Sequence, residues 1–122
     1  MDTPRQVFER LSAGIGSGDW SGLHLLYAED TEVSMPFLRA MPEPIRGRDE
    51  VRRHFARTSG ISLRPANVVI HETGDPEVVI VEYDYEIGSG RVANIQVLRV
   101  RDGLIVESRD YHDHAGLAEM LG

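Results

Sequence analysis

Asp102-Gly103 stands between two β-branched runs, Ile95 to Arg101 and Leu104 to Val106, and a two-residue Asp-Gly turn in that setting signals a hairpin. Two further turn signals precede it, Gly74-Asp75-Pro76 and Gly88-Ser89-Gly90. The second half of the chain is therefore divided into four consecutive strand segments: Leu63 to Glu72, Glu77 to Ile87, Arg91 to Arg101 and Leu104 to His112. Consecutive strands joined by short turns form an antiparallel meander, which leaves one sheet face needing a cover.

The first half of the chain supplies that cover. Thr3-Pro4 reads as an N-cap followed by proline at the first helical position, and Val7, Phe8, Leu11 and Ile15 follow at helical spacing. Gly14, Gly16 and Gly18 are expected to end this helix. A phosphate-binding loop is the other reading of that run, but such a loop follows a strand and not a helix. Asp19 or Ser21 is expected to cap a second helix carrying Trp20, Leu23, Leu26 and Tyr27. A strand from Thr31 to Met35 and a Pro-rich loop from Pro36 to Arg48 come next. A third helix capped by Asp49 then carries Val51, His54 and Phe55, and Ala115 to Leu121 ends the chain as a helical turn. The order α-α-β-α-β-β-β-β predicts one α+β domain over residues 1–122, with the helices on the concave face of a curved sheet. Such a cone has an open mouth, where pockets form.

Composition narrows the chemistry. The net charge of −7 argues against partners that need basic patches, namely nucleic acid and anionic membrane surfaces. No apolar run approaches the ~20 residues of a membrane span, and Met1-Asp2-Thr3-Pro4-Arg5 has no signal-peptide pattern, so a cytoplasmic location is expected. There is no Cys and no Lys, which excludes side-chain thiolate and Schiff-base chemistry. Carboxylate, His, Tyr and Ser chemistry is left.

The last strand is where such groups crowd. Asp110 and His112 are two apart and share a face, where they can line a common cavity, while Arg109 points to the other face. Glu82 and Asp84 likewise share a face of their strand, flanked by Tyr83 and Tyr85, so one face is Tyr-rich and the other acidic. If the tyrosines pack in the core or at a dimer interface, the acidic pair is expected to face the cavity, bringing three carboxylates together. Gln96 shares a face with Asn94 and Leu98 and offers a hydrogen bond. His54 and His71 lie within reach of the mouth but are the kind of lone histidine that more often simply packs. Tyr27 is expected in the core and Trp20 in the core or the pocket wall. Asp84, Asp110, His112 and Glu82 are also oxygen and imidazole donors of the kind that hold a cation. However, no His-Glu-x-x-His spacing is present, and neighbours in His112-Asp113-His114 point apart, so no metal is expected.

Asp102-Gly103-Leu104-Ile105, followed by Arg109-Asp110-Tyr111-His112-Asp113, resembles a segment of the NTF2-like, cystatin-fold superfamily. Within it the segment is similar to SnoaL-like polyketide cyclases and the limonene-epoxide-hydrolase group. Leu25 to Thr31 and Ile45 to Asp49 are weaker markers, and the resemblance runs from about Val7 to Leu121. It implies that Asp110 is the acid/base of the cyclases and one of the acid pair of the hydrolases, with Asp84 at the second acid position. Glu82 falls where the hydrolases have a bridging Arg, Glu32 and Ser34 where they have a water-holding Tyr and Asn, Gln96 on the cyclase His, and Met35 on the ketosteroid isomerase base. By this resemblance the chain is expected to be a cofactor-independent acid–base enzyme on a small, largely apolar substrate, in natural-product tailoring. Asp110, Asp84 and His112 are its expected catalytic residues. Glu82, Gln96, Ser34, Glu32, Trp20 and His71 are expected around the substrate. The alternative is a non-catalytic ligand-binding or dimerising module. Under either reading a homodimer is expected through an outer sheet face to which Val79, Val81, Tyr83, Tyr85, Ile95 and Val97 contribute.

Overall fold

The computed structural model describes residues 1–121. Helix α1 runs Pro4–Ser17, a single 3₁₀ turn covers Leu23–Leu26, and strands β1 (Tyr27–Ser34) and β2 (Ile45–Arg46) flank the Pro-rich loop. Helix α2 (Arg48–Thr58) precedes β3 (Arg64–Glu72), β4 (Val78–Ile87), β5 (Gly90–Arg101) and β6 (Leu104–His112), and α3 (His114–Leu121) follows. The sheet order is β2-β1-β6-β5-β4-β3, antiparallel at every pairing except β1 with β6, which is parallel. This is the expected α+β architecture, with α1 laid across β3 to β5 and α2 against β1.

Helix α1 starts where its chemistry says. Thr3 accepts from the Gln6 amide while the Gln6 side chain accepts from the Thr3 amide, a complete capping box. Its stripe of Val7, Phe8, Leu11 and Ile15 is buried. The helix runs through Gly14 and Gly16 and stops at Gly18, whose φ of 83° is the left-handed C-cap. A side chain at Gly14 would meet Leu23, so this glycine allows the 3₁₀ turn to close on the helix.

The second helix expected from the sequence is only that 3₁₀ turn, and Tyr27 already belongs to β1. The side chain of Asp19 accepts from the Ser21 amide and hydroxyl at 3.1 and 2.7 Å, forming a local turn in place of a helix cap. Buried Tyr27, Thr31 and Val33 then draw the chain into the sheet. Gly47 and not Asp49 begins α2; Asp49 and Glu50 occupy its first turn, where negative charge favours the helix N-terminus.

Strand register fixes the two sheet faces. Val79, Val81, Tyr83 and Tyr85 are buried against the helices, paired with Leu98, Gln96, Asn94 and Val92 of β5. In turn Ser108, Asp110 and His112 of β6 lie opposite Leu98, Gln96 and Asn94. Glu82, Asp84, Ile95, Val97 and Arg109 alternate onto the outer face. Among the described residues no helix is long and apolar enough to cross a membrane.

Candidate functional site in the inner cavity

A cavity of about 230 Å³ opens between the helices and the concave sheet face. Its floor comes from alternate residues of three neighbouring strands, Tyr83 and Tyr85, Gln96, then Asp110 and His112. Leu11, Trp20, Phe55, Ile61 and Leu63 supply apolar walls, and α3 closes one side with His114, Leu117 and Leu121. Trp20 is held edge-on to Phe55 and donates from Nε1 to the Ile61 carbonyl at 3.0 Å. Among the described residues no arginine lines this cavity, so they supply no fixed cation for a carboxylate or phosphate ligand.

One chain of hydrogen bonds crosses the floor. Ser108 donates to Asp110 Oδ1 at 2.7 Å, and Gln96 Nε2 donates to Ser108 Oγ at 3.1 Å. Tyr83 donates to Gln96 Oε1 at 3.2 Å. With that proton committed, the Tyr85 hydroxyl, 3.3 Å from that of Tyr83, is the donor to it. Every proton in the chain thus points toward Asp110. Burial in this apolar setting pushes the Asp110 carboxyl up to about 6, against the pull of the Ser108 hydroxyl, the Gln96 amide and, more distantly, His54 and His114. A carboxyl near 6 is divided between acid and base forms close to neutrality, which is what proton transfer to and from a substrate requires.

The histidines around it are held neutral. Burial and the neighbouring His114 bring His112 down to about 4. Burial and Arg57 lower His54, and burial lowers His114. His112 Nε2 lies 4.0 Å from Asp110 Oδ2. The Nε2 atom of His114 is buried with no hydrogen-bond partner among the described residues. Burial also raises the hydroxyls of Tyr27, Tyr83 and Tyr85, so all three are protonated donors at neutral pH.

Of the residues expected at the site, the fold brings Asp110, His112, Gln96 and Trp20 to one cavity. It does not bring Asp84. The tyrosines that flank Asp84 are large and mostly apolar, so they take the inner face, and strand alternation turns Asp84 outward, where it accepts from Asn67 Nδ2 at 2.8 Å. Glu82 follows it and pairs with His71 across the outer face at 2.6 Å. Three carboxylates therefore do not converge: Glu82 and Asp84 line a separate outer hollow, which His112 also reaches, while Asp110 lines the inner cavity. Glu32 is also outward, accepting from Arg46 at 3.2 Å, because Thr31 and Val33 of the same strand are buried. Ser34 lies on the Glu32 side of β1 and lines a separate surface hollow with Pro36 and Pro44.

Several residues of the site are not marked by the sequence pattern, among them Ser108, which is buried under the floor and holds Asp110. Ser108 precedes Asp110 by two on one strand, so the same period that placed His112 places it too. Tyr83 and Tyr85 were legible as one face but not as the inner one. Tyr27 is in the core as expected and also borders the cavity, and His54, the kind of lone histidine that more often simply packs, lines it with Met35. His114 and Leu117 come from α3, whose docking no local pattern reveals.

A family model for the SnoaL-like domain matches residues 8–108. No curated protein sequence matches the chain significantly. Among solved structures, the fold is similar to a Bacillus subtilis protein provisionally described as an isomerase, with TM-score 0.83 and 22% identity over 97% of this chain and 91% of that one. It is also similar to a provisionally described polyketide cyclase of Pseudomonas putida, with TM-score 0.77 and 14% identity over 98% of both chains. A third, provisionally described as a ketosteroid isomerase of Kribbella flavida, gives TM-score 0.68 and 21% identity over 88% of this chain and 76% of that one. With its curved sheet, its helices over the concave face and the domain match across most of its length, the chain belongs to the SnoaL-like domain family of the NTF2-like superfamily.

Proposed function

We propose that this chain is a cofactor-independent acid–base enzyme of the isomerase or cyclase kind, acting on a small, largely apolar substrate in the inner cavity. Asp110 is its acid/base. The observation that carries this reading is a single sheltered carboxyl, near 6, at the end of a directed hydrogen-bond chain in an apolar cavity whose described residues supply no fixed cation. The cyclase and isomerase descriptions of the structural neighbours agree with it. In such a reaction Asp110 removes a proton from a carbon beside a carbonyl and returns it, or passes it to oxygen, at another position. Epoxide opening by an acid pair is not part of this reading, since Asp84 is on the opposite face. A second copy of the chain pairs with the outer face, where Val69 and Ile95 are about half exposed and Phe37 lies edge-on to Tyr111.

The test is deuterium uptake at carbon in small cyclic ketones incubated with the protein in heavy water. The native protein accelerates exchange, and Asp110→Asn removes about 10²- to 10⁴-fold of that acceleration while keeping the fold. Exchange that is undiminished in Asp110→Asn, or equal to the buffer rate with the native protein, leaves a ligand-binding module as the better reading.

A further inference from the structure

Asn94 is buried at 3% exposure on the inner face of β5, opposite His112 of β6. Its side-chain Nδ2 donates to the Val92 carbonyl at 3.0 Å, which fixes the amide so that Oδ1 faces His112. Oδ1 is hydrogen-bonded to Nδ1 of the His112 ring. An amide oxygen only accepts, so Nδ1 must carry the proton. In a neutral imidazole the other nitrogen then has none. His112 Nε2 therefore presents a lone pair, and it does so beside Asp110 Oδ2, 4.0 Å away. Stacking on Tyr85 holds the ring in that plane. On the carboxyl, Oδ1 is taken by Ser108, which leaves Oδ2 open.

From this arrangement we infer that Asn94 is a positioning residue that locks His112 as a hydrogen-bond acceptor, and that the ligand class of the inner cavity is a small, neutral, apolar ring molecule bearing a hydroxyl. This rests on the acid–base reading of the same cavity and adds to it what the substrate must carry. A hydroxyl oxygen about 2.8 Å from each atom fits over a gap of 4.0 Å. It donates to His112 Nε2 and accepts from Asp110 Oδ2 when that oxygen is protonated. A ring ether or hydrocarbon of equal size leaves Nε2 buried and unpaired. An anionic ligand meets a carboxyl and, among the described residues, no arginine in the lining. At about 230 Å³ the cavity is small for a ligand pocket and suits a monocyclic body.

The experiment uses ¹⁵N-histidine-labelled protein at pH 5, where Asp110 is mainly protonated and His112 mainly neutral, with the His112 signals assigned through His112→Gln. Long-range ¹H–¹⁵N correlations report which ring nitrogen carries the proton. Phenol and its methyl ether, anisole, serve as matched probes that differ in the donor. The expected result is an Nδ1–H ring, phenol binding about tenfold or more tightly than anisole, and a shift of the His112 Nε2 signal on phenol addition. In Asn94→Asp the carboxylate holds a second ring proton, Nε2 becomes a donor, and the preference for phenol disappears. A proton on Nε2 in the native protein overturns the inference without any variant having to fold. So does equal affinity for the two probes, or binding of neither. If ketone exchange still depends on Asp110 in that case, the positioning role fails and the acid–base reading stands. If the tautomer is as stated and exchange is absent, the reverse holds.

Discussion

Asp110 and His112 are neighbours whose proton affinities have moved in opposite directions, because burial penalises whichever form is charged. That has a consequence for stability. The folded Asp110 carboxyl holds its proton more tightly than an ordinary one at 3.8, so its contribution is complete below about 3.8 and is lost as pH rises through about 6. The difference between 3.8 and about 6 corresponds to roughly 3 kcal/mol. His112, near 4 when folded and 6.5 when not, contributes above 6.5 and loses its contribution as pH falls through 4. Between pH 4 and 6 the two slopes oppose each other. Asp110→Asn is therefore expected to be more stable than the native protein at pH 7.5, by up to roughly 3 kcal/mol in urea unfolding, with the gain shrinking toward zero by pH 4. A variant that is less stable at pH 7.5 would show that Asp110 is not strained in its charged form.

At the scale of elements, one strand alternation divides the chemistry of the molecule between two faces. On β4 the inner set is Val79, Val81, Tyr83 and Tyr85, and the outer set carries Glu82 and Asp84. The tyrosines stay inside because α1 packs on them, with Phe8 edge-on to Tyr83 at 5.4 Å. Leu11 of the same helix is almost fully buried and lines the cavity. Leu11→Ala is expected to cost about 2–5 kcal/mol in urea unfolding, toward the low end because the cavity beside it already exists. The same change enlarges the cavity and should let it accept probes one or two methyl groups larger than phenol. A cost below about 1 kcal/mol would mean that α1 does not hold the cavity wall. The short 3₁₀ turn shows the limit of local reading at this scale. Trp20, Leu23, Leu26 and Tyr27 have helical spacing, but Tyr27 is placed by β1, which pairs in parallel with a strand almost eighty residues later.

For the whole molecule, the unpartnered surface is the outer face of the sheet. Of the residues expected there, Val79, Val81, Tyr83 and Tyr85 face inward, and only Ile95 and Val97 face out. Ile95 is 42% exposed and Val69 49% exposed. The homodimer proposed across this face should be visible by light scattering at micromolar concentration, and Ile95→Arg should convert it to monomer without loss of helix or strand signal. A native protein that is already monomeric refutes it. The four-strand meander is legible from local chemistry, since turn residues and β-branched runs act within a few residues of chain. Local chemistry also specifies the first helix through its cap and stripe, and the shared face of Asp110 and His112 through a period of two. Whether Asp84 or the tyrosines face the cavity depends on what packs against the sheet. Periodicity states that two sets lie on opposite faces, while the cost of burying two carboxylates against a helix, compared with two aromatic rings, selects which set goes in. The proton on Nδ1 of His112 was decided at the same level, because it depends on a strand register that sets Asn94 opposite it.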